Sequence, residues 1–293
     1  MKEPVFTGAA TAIVTPFRNG EIDFPAFEHI LEQQLEAGIR AIVVCGTTGE
    51  ASTLTPEERT LLISHAVAYC AGRCKIIAGV GTNNTAQSVR YAKQAAEAGA
   101  DALLAVTPYY NKASQEGLAV HYFTIANATS LPLIAYNVPS RTGVNLTAET
   151  CARLSRHPRI NGVKEASGNL SQVAHIRALC GEDFYIWSGN DDQITATMSL
   201  GGKGVISVLS NVRPRTAVHI AECCLRGDFA ESGRLQCACL PLIDALFSDV
   251  NPIPVKAALE EVGLCTQELR LPLTPLSEEK RTALRAALHR CPE

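Results

Sequence analysis

The hydrophobic positions along the chain fall into two alternating patterns. Short unbroken apolar runs occupy residues 10–15, 41–45, 75–80, 102–106, 132–136, 160–164, 184–188 and 204–208. None alternates apolar with polar, so each reads as a strand buried on both faces, the habit of a parallel sheet. Between them lie stretches with helical spacing. Residues 26–37 place Phe27, Ile30, Leu31 and Leu35 on one face. Residues 56–70 open on Thr55-Pro56-Glu57-Glu58, an N-cap followed by proline at the first helical position. Eight strand–helix units spaced roughly 25–30 residues apart predict an α/β fold, a (β/α)8 TIM barrel. The alternative is an open doubly wound sheet. It calls for a glycine-rich turn after the first strand, where this chain has Thr15-Pro16-Phe17, and Gly79-Val80-Gly81 lacks the third glycine of a dinucleotide site.

Beyond residue 227 the strand-like runs stop, and residues 228–247, 254–262 and 277–289 read as helices. The expected organisation is a catalytic barrel over 1–227 and a small C-terminal helical domain over 228–293. The latter is too short for a large core of its own and is expected to pack on the barrel or on a neighbour.

Composition narrows the function. Charged residues make up 19% of the chain, below the usual value of about 25%, which suggests surface hidden in an oligomer. A net charge of −3 with scattered basic residues gives no electrostatic attraction to nucleic acid or anionic lipid. No run reaches 18 apolar residues, so no membrane span is expected, and Met1-Lys2-Glu3-Pro4 does not open a signal peptide. The 11 cysteines form no CxxC pair and no metal-ligand spacing with the seven histidines. Most stand in apolar contexts as small hydrophobes, which points to a reducing compartment, the cytoplasm.

In a barrel the working residues stand at the C-terminal ends of strands and in the loops after them. Lys75 and Lys203 precede strands, Lys93 and Lys280 fall on polar helix positions, and Lys112 is in a loop. Only Lys164, in Gly162-Val163-Lys164-Glu165-Ala166, ends a buried strand. Desolvation there disfavours the ammonium and frees an amine that forms an imine with a carbonyl substrate. The structural alternative is a lysine paired with Glu165 or another acid. Other strand ends supply Gly46-Thr47-Thr48-Gly49-Glu50, Thr107-Pro108-Tyr109-Tyr110-Asn111, Tyr136 to Gly143, and Ser188-Gly189-Asn190-Asp191-Asp192. Hydroxyls with free backbone N–H groups suit a carboxylate, a phenol beside an amine can carry protons, and Arg141 offers a planar fork. Asp191-Asp192 lacks a third metal ligand and reads as a helix N-cap. The prolines and apolar residues of NPIPVK (251–256) read as seating the C-terminal helices.

These segments resemble the dihydrodipicolinate synthase branch of the pyruvate-dependent aldolase family, which also contains N-acetylneuraminate lyase. The resemblance runs through Phe6-Thr7-Gly8, GTTGE (46–50), VTPYYNKASQEG (106–117), YNVPSRTG (136–143), GVKEASGN (162–169), GGKGVISV (201–208), NPIPVK (251–256) and LRLPLTP (269–275). It implies a lyase of lysine (diaminopimelate) biosynthesis in which Lys164 forms a Schiff base with pyruvate and Tyr136 donates and accepts protons. Thr47 and Tyr110 would complete the relay, Tyr110 reaching in from a neighbouring subunit. Thr48 would hold the pyruvate carboxylate, Gly189 and Ile206 would line the pocket through their backbones, and Arg141 would receive the carboxylate of L-aspartate 4-semialdehyde. The resemblance implies no metal or organic cofactor, and a homotetramer built as a dimer of dimers. Arg141 and GTTGE favour the synthase over a lyase or aldolase for N-acetylneuraminate or a 2-keto-3-deoxy acid, and the presence of Lys164, Tyr136 and the threonine argues against a non-catalytic keto-acid-binding paralogue. Lysine-inhibited members carry a histidine pair and a glutamate where this chain has Pro56, Arg59 and Gln87, although Asn83 and Tyr109 are kept. Inhibition by lysine is therefore expected to be weak or absent.

Overall fold

The computed structural model describes residues 2–291. Eight parallel strands close into a barrel: β1 (Gly8–Ala12), β2 (Ala41–Val44), β3 (Lys75–Gly79), β4 (Ala102–Val106), β5 (Leu133–Asn137), β6 (Ile160–Glu165), β7 (Tyr185–Ser188) and β8 (Gly204–Ser207). Each strand pairs with its sequence neighbours, and β1 closes the ring against β8 through Ala10 opposite Ile206. Helices return the chain from the end of each strand to the start of the next, so every C-terminal strand end opens on the same rim.

Seven of the eight strands lie within one residue of the apolar runs. The first does not: it spans 8–12 rather than 10–15. Its ladder is made by the small residues GAATA, while Ile13 and Val14 are fully buried just beyond it. The Val14 backbone N–H donates to the Asn211 side chain at 3.2 Å instead of to a strand. Ile13 N still donates to Val43 O at 3.2 Å, so the apolar signal runs past the strand's end into residues buried under the rim. A short antiparallel hairpin, Phe17–Arg18 against Glu21–Ile22, follows without any sequence expectation.

Helix starts carry polar caps. Thr55 begins the helix Pro56–Cys70 with a reciprocal capping box, its hydroxyl accepting from Glu58 N while the Glu58 carboxylate accepts from Thr55 N. Asn84, Ser114, Thr147 and Asn169 cap the helices that follow β3, β4, β5 and β6. After the barrel come three further helices, Phe229–Leu246, Ile253–Glu261 and Glu278–Arg290. Among the described residues no helix is long and apolar enough to cross a membrane.

Two apolar layers result. The outer one packs helices on strands and contains most of the core. The inner one fills the barrel with small residues such as Ala10, Ala12, Ala41 and Ala102 beside Tyr185 and Trp187. Trp187 is fully buried, stacks on Phe6 at 5.2 Å between ring centroids, and donates its indole N–H to Phe6 O at 3.2 Å. The barrel interior is thereby filled from below, and a cavity of about 780 Å³ opens at its upper end.

Candidate active site

Strand alternation decides how Lys164 and Glu165 behave. Successive side chains on a strand point to opposite faces, so Lys164 faces the barrel interior and Glu165 the helices. The Glu165 carboxylate accepts from Asn137 Nδ2 at 3.0 Å, Gln172 Nε2 at 3.0 Å and Ser167 N at 2.7 Å. It is fully engaged on the far side, and no carboxylate among the described residues pairs with Lys164 within 4.0 Å. The ion-pair alternative is removed.

Lys164 is 5% exposed. Its Nζ stands 4.4 Å from the centre of the Tyr136 ring, which lies opposite it in the β5–β6 register. Burial pushes the ammonium down to about 8; the Asp191 carboxylate works against this and the Arg141 guanidinium adds to it. Burial also pushes the Tyr136 phenol up, while Arg141 and a hydrogen bond with Thr47 hold it down. The amine and the phenol are thus both buried and in contact, the one losing its proton more easily and the other more reluctantly than usual.

Gly189, just past β7, owes its identity to Lys164. A Cβ there would stand 2.7 Å from Ala166 Cβ and 2.9 Å from Lys164 Cε. Any side chain would displace the lysine stem.

A cavity of about 780 Å³ covers this group and is lined by Thr47, Thr48, Tyr136, Arg141, Lys164 and Gly189. Six of the eight expected site residues are brought together. Ile206 is fully buried in the barrel interior, and the cavity wall there is formed by Val208, just past the end of that strand. Tyr110 is 89% exposed with φ of 72°, and the cavity wall carries its neighbour Tyr109 instead. Arg141 sits on the short helix Pro139–Thr142 after β5, its Nη2 donating to Asn251 O at 3.4 Å.

Two further side chains take part in the site, one from NPIPVK and one, Arg59, named above only as a departure from the lysine-inhibited members. Asn251, from NPIPVK, reaches over the rim and donates from Nδ2 to Thr48 Oγ1 at 2.9 Å, while its buried Oδ1 accepts no hydrogen bond. That segment lines the cavity as well as seating a helix. Arg59 is also buried at the cavity's far end, stacked on Tyr91 at 4.2 Å and donating to Ala51 O at 3.0 Å and to Gly79 O. Asp191 is not a helix N-cap. Its Oδ2 accepts from Val208 N at 2.9 Å and Leu209 N at 2.8 Å, tying the end of β7 to the loop after β8. Burial pushes this carboxyl up. Among the described residues no three His, Cys, Asp or Glu side chains gather as a metal-ligand set.

A closed barrel that collects an amine, a phenol, hydroxyls and a guanidinium in one cavity at its C-terminal rim defines a barrel enzyme. The chain belongs to the dihydrodipicolinate synthetase family, whose model matches residues 5–291. It is 52% identical over 275 residues to the 4-hydroxy-tetrahydrodipicolinate synthase of Exiguobacterium sibiricum, with 94% of each chain covered. Among solved structures it is similar to dihydrodipicolinate synthase from Thermotoga maritima, at TM-score 0.96 and 44% identity, covering 97% of this chain and 98% of that one. The chloride-inhibited dihydrodipicolinate synthase of Acinetobacter baumannii, solved with pyruvate, matches at TM-score 0.96 and 42% identity over 98% of this chain and 99% of that one.

Proposed function

We propose that this enzyme condenses pyruvate with L-aspartate 4-semialdehyde through an imine on Lys164, the entry reaction of lysine (diaminopimelate) biosynthesis. The observation that carries the reading is Lys164 itself: a buried amine held near a pKa of about 8, without an ion-pair partner, against the Tyr136 ring. Family membership supports it across the whole chain.

The chemistry follows from the placement. The free amine of Lys164 attacks the pyruvate carbonyl, and loss of water gives the imine. The imine draws electrons from the adjacent methyl group, so a proton leaves and an enamine carbon forms. That carbon attacks the aldehyde of the second substrate. The amino group of the semialdehyde then displaces Lys164 as the ring closes, returning the free amine. Tyr136 moves the protons, with Thr47 as its hydrogen-bond partner. Thr48 and nearby backbone N–H groups, and the backbone around Gly189 and β8, hold the pyruvate unit. Arg141, on the open side of the cavity, meets the second substrate's carboxylate.

Tyr110, projecting from the chain, completes the relay in a neighbouring subunit of a homotetramer. The cysteines are free thiols, most of them buried, which suits a reducing cytoplasm. The test is a side-by-side assay of purified enzyme. Pyruvate and aspartate semialdehyde are expected to be consumed together, with no cleavage of N-acetylneuraminate or 2-keto-3-deoxy acids. Cleavage of a sugar acid at a greater kcat/KM contradicts the assignment.

A further inference from the structure

The loop carrying Thr47 and Thr48 is gripped from far along the chain. Glu50 closes that loop with φ of 53°, left-handed for a non-glycine residue, so something must hold it there. Its carboxylate meets Lys256 Nζ at 2.5 Å, with both side chains at 0% exposure. The ammonium also donates to Glu268 O at 2.7 Å and lies 4.2 Å from the centre of the Phe17 ring. The second carboxylate oxygen accepts from Arg270 N at 3.1 Å. At the other end of the segment 251–256, Asn251 Nδ2 holds Thr48 Oγ1 at 2.9 Å. The segment therefore contacts the loop twice, once at the residue that lines the cavity and once at the residue that ends the loop.

A fully buried ion pair is a poor source of stability, because two desolvated charges recover little beyond what an apolar pair of the same size gives. What it does supply is a fixed geometry: a charge in a dry site accepts only the one arrangement that satisfies it. We propose that Lys256 and Glu50 are positioning residues for the reaction, fixing the 46–50 loop so that Thr47 reaches Tyr136 and Thr48 meets the pyruvate carboxylate. This rests on the assignment of those two threonines under the proposed function. The positioning effect is separable from the imine itself, because neither Lys256 nor Glu50 lines the cavity.

The decisive variant is the double substitution Glu50→Gln with Lys256→Met. It leaves no unpaired charge in the interior, and the amide still accepts from Arg270 N. Positioning predicts that this protein folds, melts within about 5 °C of wild type, and shows a pyruvate KM raised at least about tenfold with a lowered kcat. Borohydride trapping of Lys164 at saturating pyruvate is expected to be retained, since the amine has not moved. Lys256→Arg, which keeps the charge and changes its shape, is expected to fold and to lie between wild type and the double variant in KM. A folded double variant with wild-type kcat and KM overturns the proposal. If the double variant does not fold, Lys256→Arg decides: a raised KM in folded protein supports it and an unchanged KM overturns it. Failure of both variants to fold also overturns it, because the pair is then purely structural. If instead wild-type Lys164 is not trapped by pyruvate and borohydride, the proposed function fails, whatever the variants do.

Discussion

Lys164 and its neighbours show how one strand makes two environments. The alternation that turns Glu165 toward Asn137 and Gln172 leaves Lys164 alone with Tyr136. Position at a strand end was enough to single out this lysine from sequence. Its freedom from Glu165 was not, since that depends on which partners β5 and the following helix offer. The consequence is a pH dependence with a definite sign. Lysine ordinarily releases its proton near 10.5, and here near 8. At pH 8 about half the amine is free, against about one part in three hundred for an unperturbed lysine. The rate of imine formation with pyruvate is therefore expected to rise through an inflection near pH 8 and level off above it. An inflection above pH 10 contradicts the burial argument. In linkage terms the unfolded chain binds more protons than the folded one between pH 8 and 10.5. The unfavourable contribution of this buried lysine to stability thus shrinks as pH rises across that window.

Between elements, what was legible followed the apolar runs. Seven strands fell in register because each is covered on both faces. β1 was displaced because Val14, over its end, is as buried as a strand residue but donates to the Asn211 side chain rather than to a neighbouring strand. The site was legible where it sits at strand ends, and hidden where distant chain folds over the rim. Asn251 approaches Thr48 across 203 positions, which no periodicity can signal. The contact between the ends of β6 and β7 is equally invisible in sequence, although a glycine there is its trace. Gly189→Ala is expected to drop kcat/KM by roughly a hundredfold, the scale of an ångström-sized displacement of a reacting group. The new Cβ meets the movable stem of Lys164 and the Ala166 methyl. The melting temperature is expected to stay within about 5 °C. Full activity in the folded variant would show that the lysine stem has room to spare.

Over the whole molecule, barrel closure does the gathering. Residues 47, 136, 164 and 189 stand at or just past the ends of four strands and meet only because all eight ends open on one rim. Of the two expected residues outside the cavity wall, Ile206 is buried beneath it, whereas Tyr110 points away, standing 89% exposed on the loop after β4. If it works in a partner's site, subunits disabled in different places should repair each other. Mixing Lys164→Ala with Tyr110→Phe subunits, each nearly inactive alone, is expected to restore about a quarter of wild-type activity after random pairing about a twofold axis. No recovery in confirmed hybrids would place the relay within a single chain.

Everything proposed for this enzyme turns on Lys164 as the nucleophile. Incubation with pyruvate, reduction with borohydride and peptide mass analysis tests it directly. A reduced pyruvyl adduct is expected on the peptide containing Lys164, absent without pyruvate and absent from Lys164→Ala. An unmodified Lys164, or an adduct on another lysine, contradicts it.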